Sequence, residues 1–285
     1  MKTKYKIFFA KILSKLLTFF ISKKQTVLRN NVKWNLDLDE GIDLSIFLFG
    51  TSERKISKLK KLLPKKDKDL TIIDIGANIG SVGLGLARIF EHSKVFAIEP
   101  TNFAFNKLLN NLKLNEDLEK RVYLRQLFIT NSKKPDKVWS SWNFDTSNKK
   151  HQKHLGTLKE IKQDSYLKLD QFIKNENLNE VDFIKLDVDG YELDVLTSGE
   201  DFLKKNKPII FIEIAPYLYP EFGYSCQELI KFIQKLNYRF LDENIKEVTN
   251  IFDQIDKIKD GGSKNFFLVS SSLFYFGPLW GRQTE

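Results

Sequence analysis

The chain predicts an α/β fold of the doubly wound kind. Helices would cover both faces of a mostly parallel sheet, with a C-terminal antiparallel strand and a separate N-terminal amphipathic helix. Three observations carry this. From residue 70 onward, short apolar runs alternate with helix-like segments. Runs such as IIFIEI are apolar almost throughout, as strands covered on both faces are. Four runs end in an acid, at Asp74, Glu99, Asp187 and Glu213, on the edge where open α/β sheets bind ligands.

Taken in order, residues 7–21 are apolar except where Lys11 and Lys15 interrupt. The run is too broken to span a bilayer, which needs about 20 apolar residues. On a helix Lys11, Ser14, Lys15 and Thr18 share one narrow face, and Phe8, Phe9, Ile12, Leu13, Leu16, Leu17, Phe19 and Phe20 cover the rest. Peripheral contact with an anionic membrane is one reading, and a helix packed on protein is the other. Lysines inside the apolar stretch, with no small-residue cleavage site after it, disfavour a signal peptide. The domain division expected is a helix at 1–25, strands and a helix at 26–66, and a cofactor-binding domain at 67–285 with an insertion at about 131–163.

VKWNLDLDEGIDLSIFLFG reads as two strands around a turn at Glu40–Gly41, and SERKISKLKKLLPKK as a helix capped by Ser52 and ended by Pro64. The alternation follows. LTIIDIG is a strand, GSVGLGLARIF a helix, KVFAIEP a strand and NFAFNKLLNNLKLN a helix with Phe103, Leu108, Leu109 and Leu112 as its apolar positions. RVYLRQLFI and VDFIKLDV are strands, YELDVLTSGEDFLKK a helix, PIIFIEI a strand and SCQELIKFIQKLN a helix. YRFLDEN and KNFFLVS close the chain as strands.

The composition sets limits. Of 285 residues, 42% are hydrophobic, enough for a full core and too many for a disordered chain. Lys and Arg outnumber Asp and Glu by 46 to 37, a formal +9 that reads as anionic surroundings or as solvated lysines. Cys226 alone excludes an internal disulfide and fits a reducing, cytoplasmic setting, possible at the inner face of a membrane. Three histidines and one cysteine cannot build a thiolate-rich zinc site.

The informative stretch is TIIDIGANIGSVG, residues 71–83. A dinucleotide fingerprint counted from Gly76 needs glycine where Asn78 and Ser81 stand, and no P-loop lysine follows. What remains is Asp74, Gly76, Ala77, Asn78 and Gly80. An acid two residues before the turn repels pyrophosphate and attracts a cation. Gly76 permits the sharp turn and Gly80 close helix packing. Glu99, followed by Pro100, ends the next strand where a carboxylate suits a ribose diol. An ammonium near Asp74 and a ribose at Glu99 describe S-adenosyl-L-methionine.

IIDIGANIGSVGLGLA, VFAIEP, LKLDQF and DFIKLDVDGYELDVL followed by PIIFIEI resemble the FkbM family of S-adenosylmethionine-dependent methyltransferases, over about residues 70–214. Asp189 stands where the family usually has glutamate, and Asp170-Gln171 where it usually has two aspartates. The resemblance implies a class I, Rossmann-like methyltransferase fold and methyl transfer to a hydroxyl oxygen, often of a sugar or polyketide-type molecule. An alcohol needs a base or a metal to become a nucleophile. Asp187 is the first candidate base and Glu213 the second. Either could instead bind a divalent metal or orient the acceptor. Asp189, Tyr191 and Glu192 fall where they could line the same cleft, although Glu192 also suits a helix N-terminus. Lys185 reads as the partner of an acid under the sheet.

Residues 131–165 are too long for a plain connection. They carry Trp139, Trp142, Phe144, His151 and His154 among lysines, a mixture that suits a saccharide acceptor or, alternatively, the small core of a hairpin arm. The partner expected is a small-molecule or glycan acceptor. A nucleic-acid methyltransferase is the first alternative, disfavoured because the basic residues are dispersed and no Asn/Asp-Pro-Pro-aromatic segment occurs. A non-catalytic cofactor-binding scaffold is the second, disfavoured by the intact acids.

Overall fold

The computed structural model describes residues 3–51, 55–63, 69–131, 135–140, 157–162 and 165–271. Helix α1 (Thr3–Phe20) leads into an antiparallel hairpin of β1 (Lys24–Arg29) and β2 (Val32–Asp37). Along β2, buried Val32, Trp34 and Leu36 alternate with outward residues, the period-2 pattern of a strand with one face on a core.

The segment read as the second strand is instead helix α2 (Gly41–Phe49). A strand there would find both edges of β2 taken, one by β1 and the other by side-chain bonds from Asn111 and Asn115 to the backbone of Asn35 and Lys33. The helix is fixed by its own acid. Buried Asp43 accepts from Asp37 N at 2.6 Å and meets Lys107 Nζ at 2.6 Å. Gly50, at φ +81°, closes it through a bond from its N–H to Ile46 O. A 3₁₀ turn, Ile56–Lys61, replaces the longer helix expected next, and Ser52 and Pro64 lie outside the described residues.

The alternation then runs as β3 (Leu70–Ile75), α3 (Gly83–Ile89), β4 (Ser93–Ile98), α4 (Asn102–Lys113), α5 (Glu116–Glu119) and β5 (Val122–Arg125). RVYLRQLFI does not continue as one strand. It breaks after Arg125, and β6 (Phe128–Ile129) pairs with β9 (Tyr166–Leu167) instead, across the hairpin of β7 (Lys137–Ser140) and β8 (Thr157–Glu160). After α6 (Leu169–Asn175) comes β10 (Phe183–Leu186). The next helix is split at Gly199 into α7 (Glu192–Ser198) and α8 (Glu200–Asn206), where a Cβ would stand 2.5 Å from Leu169 Cδ2. The chain continues with β11 (Ile209–Ile214), a 3₁₀ turn at Tyr219–Phe222, α9 (Cys226–Lys235), β12 (Tyr238–Leu241), α10 (Ile251–Ile255), which the sequence reading lacked, and β13 (Lys264–Ser270). Ser225 caps α9 reciprocally with Glu228, a box that contributes about 1 kcal/mol.

The main sheet has the order β12-β13-β11-β10-β3-β4-β5. All its neighbours are parallel except β13, which runs antiparallel between β11 and β12. This is the doubly wound, mostly parallel sheet expected from the sequence, with its antiparallel strand at the C-terminus. One face is covered by α6 through α9 over Ile73, Ile184 and Ile210. The other is covered by α3, α4 and the N-terminal hairpin over Ile72, Phe183 and Phe211. Asn111 of α4 and Asn115, which precedes α5, are buried with their side chains bonded to the backbone of β2 at Asn35 and Lys33. The reversal of strand order lies between β3 and β10, and their carboxyl ends position the site.

Candidate active site

Beyond Ile75 the chain turns at Gly76, whose φ is +79°. The N–H groups of Gly76 and Ala77 both donate to Ile98 O, at 3.0 and 2.9 Å, which staples the turn to the end of β4. A Cβ on Gly76 would stand 1.9 Å from Asp187 O, so only glycine allows this approach to β10. Gly80, at φ +92°, lets α4 close in, since a Cβ there would meet Leu108 Cδ1 at 2.6 Å. Asn78 also has a left-handed φ of +50°. Its N–H donates to Glu99 Oε2 at 3.0 Å, and its own Oδ1 is buried with no hydrogen-bond partner among the described residues.

Glu99 is held from both ends. Oε1 accepts from Thr101 N at 3.0 Å and Thr101 Oγ1 at 2.6 Å. Thr101 Oγ1 in turn accepts from Ala104 N and caps α4. Burial pushes the Glu99 carboxyl up, and these bonds oppose that push. Pro100 O accepts from Lys162 N, and Thr101 bridges to Ile161, so the base of the β7–β8 arm rests on this edge.

Four charged side chains share one face of the sheet by strand alternation. Lys185 lies opposite Asp74 in the register, and one residue beyond the Leu186–Ile212 pair Asp187 falls beside Glu213. Asp74 is fully enclosed, against the Gly83 backbone. The cation it faces is Lys185, whose Nζ is 3.8 Å from Asp74 Oδ1, 3.1 Å from Asp187 Oδ2 and 3.0 Å from Gly76 O. The site therefore brings its own ammonium to Asp74, the place where sequence reading put a ligand's. Burial raises Asp74 despite Lys185.

Asp187 is one-third exposed at its side chain and hydrogen-bonds Glu213. Burial alone would raise it, but Lys185 and the bond from Glu213 bring it below the ordinary carboxylate value. Glu213 moves the other way. Burial and then the Asp187 charge push it well up, against a bond from Ser263 Oγ. The opposite shifts favour the neutral form of Glu213 and the charged form of Asp187.

The turn after β10 has Asp189 at φ +50° and Gly190 at φ +104°, where a Cβ would collide with the Phe222 ring. Glu192 Oε1 accepts from Val188 N and Gly190 N at 3.2 and 3.3 Å and so ties this turn to α7. Burial pushes Glu192 up to about 8. Tyr191 is buried edge-on between Phe128 and Phe222, at ring centroid distances of 4.9 and 4.5 Å. It serves that aromatic cluster rather than an open acceptor cleft. Trp139 is in β7, in register with Leu158. Trp142, His151 and His154 lie outside the described residues. Among the described residues, no three His, Cys, Asp or Glu side chains are grouped to hold a metal ion.

Sequence reasoning missed Thr101 and Ser263, single hydroxyls in loops with no pattern to mark them. It identified Lys185 correctly as an acid's partner, from alternation.

The Methyltransferase FkbM domain model matches residues 74–240. No curated protein matches significantly. Among solved structures, the human methyltransferase 10 domain containing protein is 10% identical, with 93% of this chain and 96% of that one covered, at a TM-score of 0.45. M. jannaschii TYW2 in complex with AdoMet is 15% identical, covering 87% and 85%, at 0.41. A SAM dependent methyltransferase from Aquifex aeolicus is 15% identical, covering 81% and 94%, at 0.41. The assignment rests on the family match, which spans more than half of the chain.

Proposed function

This chain belongs to the FkbM methyltransferase domain family and is an S-adenosylmethionine-dependent methyltransferase. From that premise we propose that it methylates a hydroxyl oxygen of a sugar or a related glycan or lipid-linked precursor. The observation that carries this is the hydrogen-bonded Asp187–Glu213 pair at adjacent strand ends next to the glycine turn, with Asp187 shifted toward its charged form and Glu213 toward its neutral one.

The residues present fit the cofactor. The turn has a buried acceptor, Asn78 Oδ1, with no donor among the described residues, and a backbone that only glycine at position 76 permits. Gly76, Ala77, Asn78, Gly80, Glu99 and Pro100 would hold it, with Asp74 and Lys185 neutralising each other beneath. When bound, it supplies an electrophilic methyl group on a sulfonium.

The chain's own residues do the rest. Asp187 accepts the acceptor's hydroxyl proton, because Lys185 and the bond from Glu213 favour its charged form. Glu192 fixes the turn that carries Asp187 and Asp189. Positioning of the oxygen in line with the methyl group supplies much of the rate. The β7–β8 arm, anchored at Pro100 and Thr101, borders the acceptor side.

Calorimetric titration with S-adenosylhomocysteine, with NAD as control, tests the cofactor half. A labelled-methyl screen over glycan acceptors, with RNA alongside, tests the acceptor half. Transfer to RNA alone would overturn the hydroxyl-glycan reading while leaving the family intact.

A further inference from the structure

Helix α1 meets the protein through its polar stripe. Ser14 is buried, and its hydroxyl donates to Asp39 Oδ1 at 3.0 Å. Thr18 Oγ1 turns inward to Ser14 O at 2.9 Å. Lys23 Nζ reaches Asp39 at 2.7 Å and Asp37 at 3.7 Å. Burial pushes Asp39 up, but Lys23, Ser14 and Lys11 together hold it below its ordinary value. Ala10 and Leu17 complete the seam against Leu38, Leu44 and Phe47.

The apolar arc therefore points outward. Phe19 and Phe20 are 82% and 80% exposed, Phe9 and Leu16 each 57%, and Ile12 and Leu13 about 40%. Leu48 and Phe49 on α2 and Leu28 on β1 add to the same N-terminal region. Ten of the thirteen large exposed hydrophobics among the described residues fall between Phe9 and Phe49, so the apolar surface is concentrated and not scattered. An amphipathic helix whose only purpose was to complete the fold would bury this arc and expose the lysines. Here the arc is exposed instead, and the side carrying Ser14 and Thr18 faces the protein.

The charge pattern selects the occupant. Residues 1–24 contain seven lysines and no acid. A second copy of this lysine-rich segment would add positive charge to positive charge. An anionic headgroup layer brings the opposite sign. Lys15 is exposed at the flank of the apolar arc and Lys24 just past the helix end, and their stems are long enough to reach phosphates while the rings enter the acyl boundary. No described helix is long and apolar enough to cross a membrane.

We propose that α1 lies flat on an anionic lipid surface, apolar arc against the lipid, with its polar back fastened to the catalytic body through Asp39 and Asp37. The proposal stands independently of the acceptor's identity.

Co-sedimentation of the full chain with phosphatidylcholine vesicles, with and without about one-third phosphatidylserine, tests it. The full chain should sediment with the anionic vesicles, less so at high salt, and Phe19→Ser/Phe20→Ser should weaken this at least about tenfold. Both rings are almost fully exposed, so thermal unfolding of the variant should match the parent. If the double variant unfolds, Phe19→Ser alone should still reduce sedimentation. A parent protein that stays in the supernatant would overturn the proposal. So would a variant that sediments equally well, or a parent dimer in light scattering that the variant abolishes without any vesicle binding.

Discussion

A methyl group on Gly76 would stand 1.9 Å from the carbonyl oxygen of Asp187. The cofactor turn and the strand end bearing the proposed base are thus in direct backbone contact. Gly76→Ala must move one of them, and it also places alanine at φ +79°. We expect a loss of about 3 kcal/mol or more of stability, together with loss of S-adenosylhomocysteine binding. Gly85 in α3 is the control, with nothing within 4 Å of its added Cβ. Gly85→Ala should gain about 0.5–1 kcal/mol, and urea denaturation of both variants checks the contrast.

Among the described residues, Lys185 is the cation that forms an ion pair with buried Asp74. Lys185→Met leaves that carboxylate enclosed without its partner, which should cost about 3 kcal/mol in thermal or urea unfolding. Adding Asp74→Asn should return part of the loss, because the orphaned charge is gone. Equal stabilities of the single and double variants would refute this account.

Glu192 titrates near 8 in the folded chain and near 4.5 when unfolded. The folded state therefore binds this proton more tightly, and stability falls as pH rises from about 4.5 through 8. Glu192→Gln keeps the acceptor for Val188 N and Gly190 N but removes the charge. Its melting temperature should fall less steeply over that window than the parent's, with the variant gaining most at pH 8 and above.

Asp187 and Glu213 should respond unequally. Asp187→Asn should lower kcat by about 10²–10³ with S-adenosylhomocysteine affinity unchanged. Burial and the Asp187 charge hold Glu213 well above the ordinary carboxylate value, and glutamine mimics the neutral form and keeps a donor toward Asp187. Glu213→Gln should cost less than about tenfold at neutral pH. Single-turnover methyl transfer across pH distinguishes the two; equal losses would remove the division of roles.

The parts of this molecule that sequence made legible share one property: the residues act through strand alternation. Apolar runs marked the main strands, and a polar residue at the end of each marked Asp74, Glu99, Asp187 and Glu213. Alternation likewise paired Lys185 with an acid. Gly41–Phe49 resisted because a nine-residue apolar run satisfies a strand or a buried helix equally. Tertiary contacts from Asp43 to Lys107 and Asp37 N decided it. β1 hid because KQTVLR is a half-exposed edge strand with little apolar signal. Tyr191 looked like a cleft residue from its position in the turn, but Phe128 and Phe222, distant in sequence, enclose it.

Asn111 has its amide committed in two directions. Its oxygen accepts from Asn35 N in the N-terminal hairpin at 2.8 Å, and its nitrogen donates to Ile79 O in the cofactor turn at 3.0 Å. One side chain therefore bolts both to α4 with no slack between them. Trimming the chain to the family-matched region would strip one side of that bolt, and a fragment made so would report on a looser turn than the intact protein possesses.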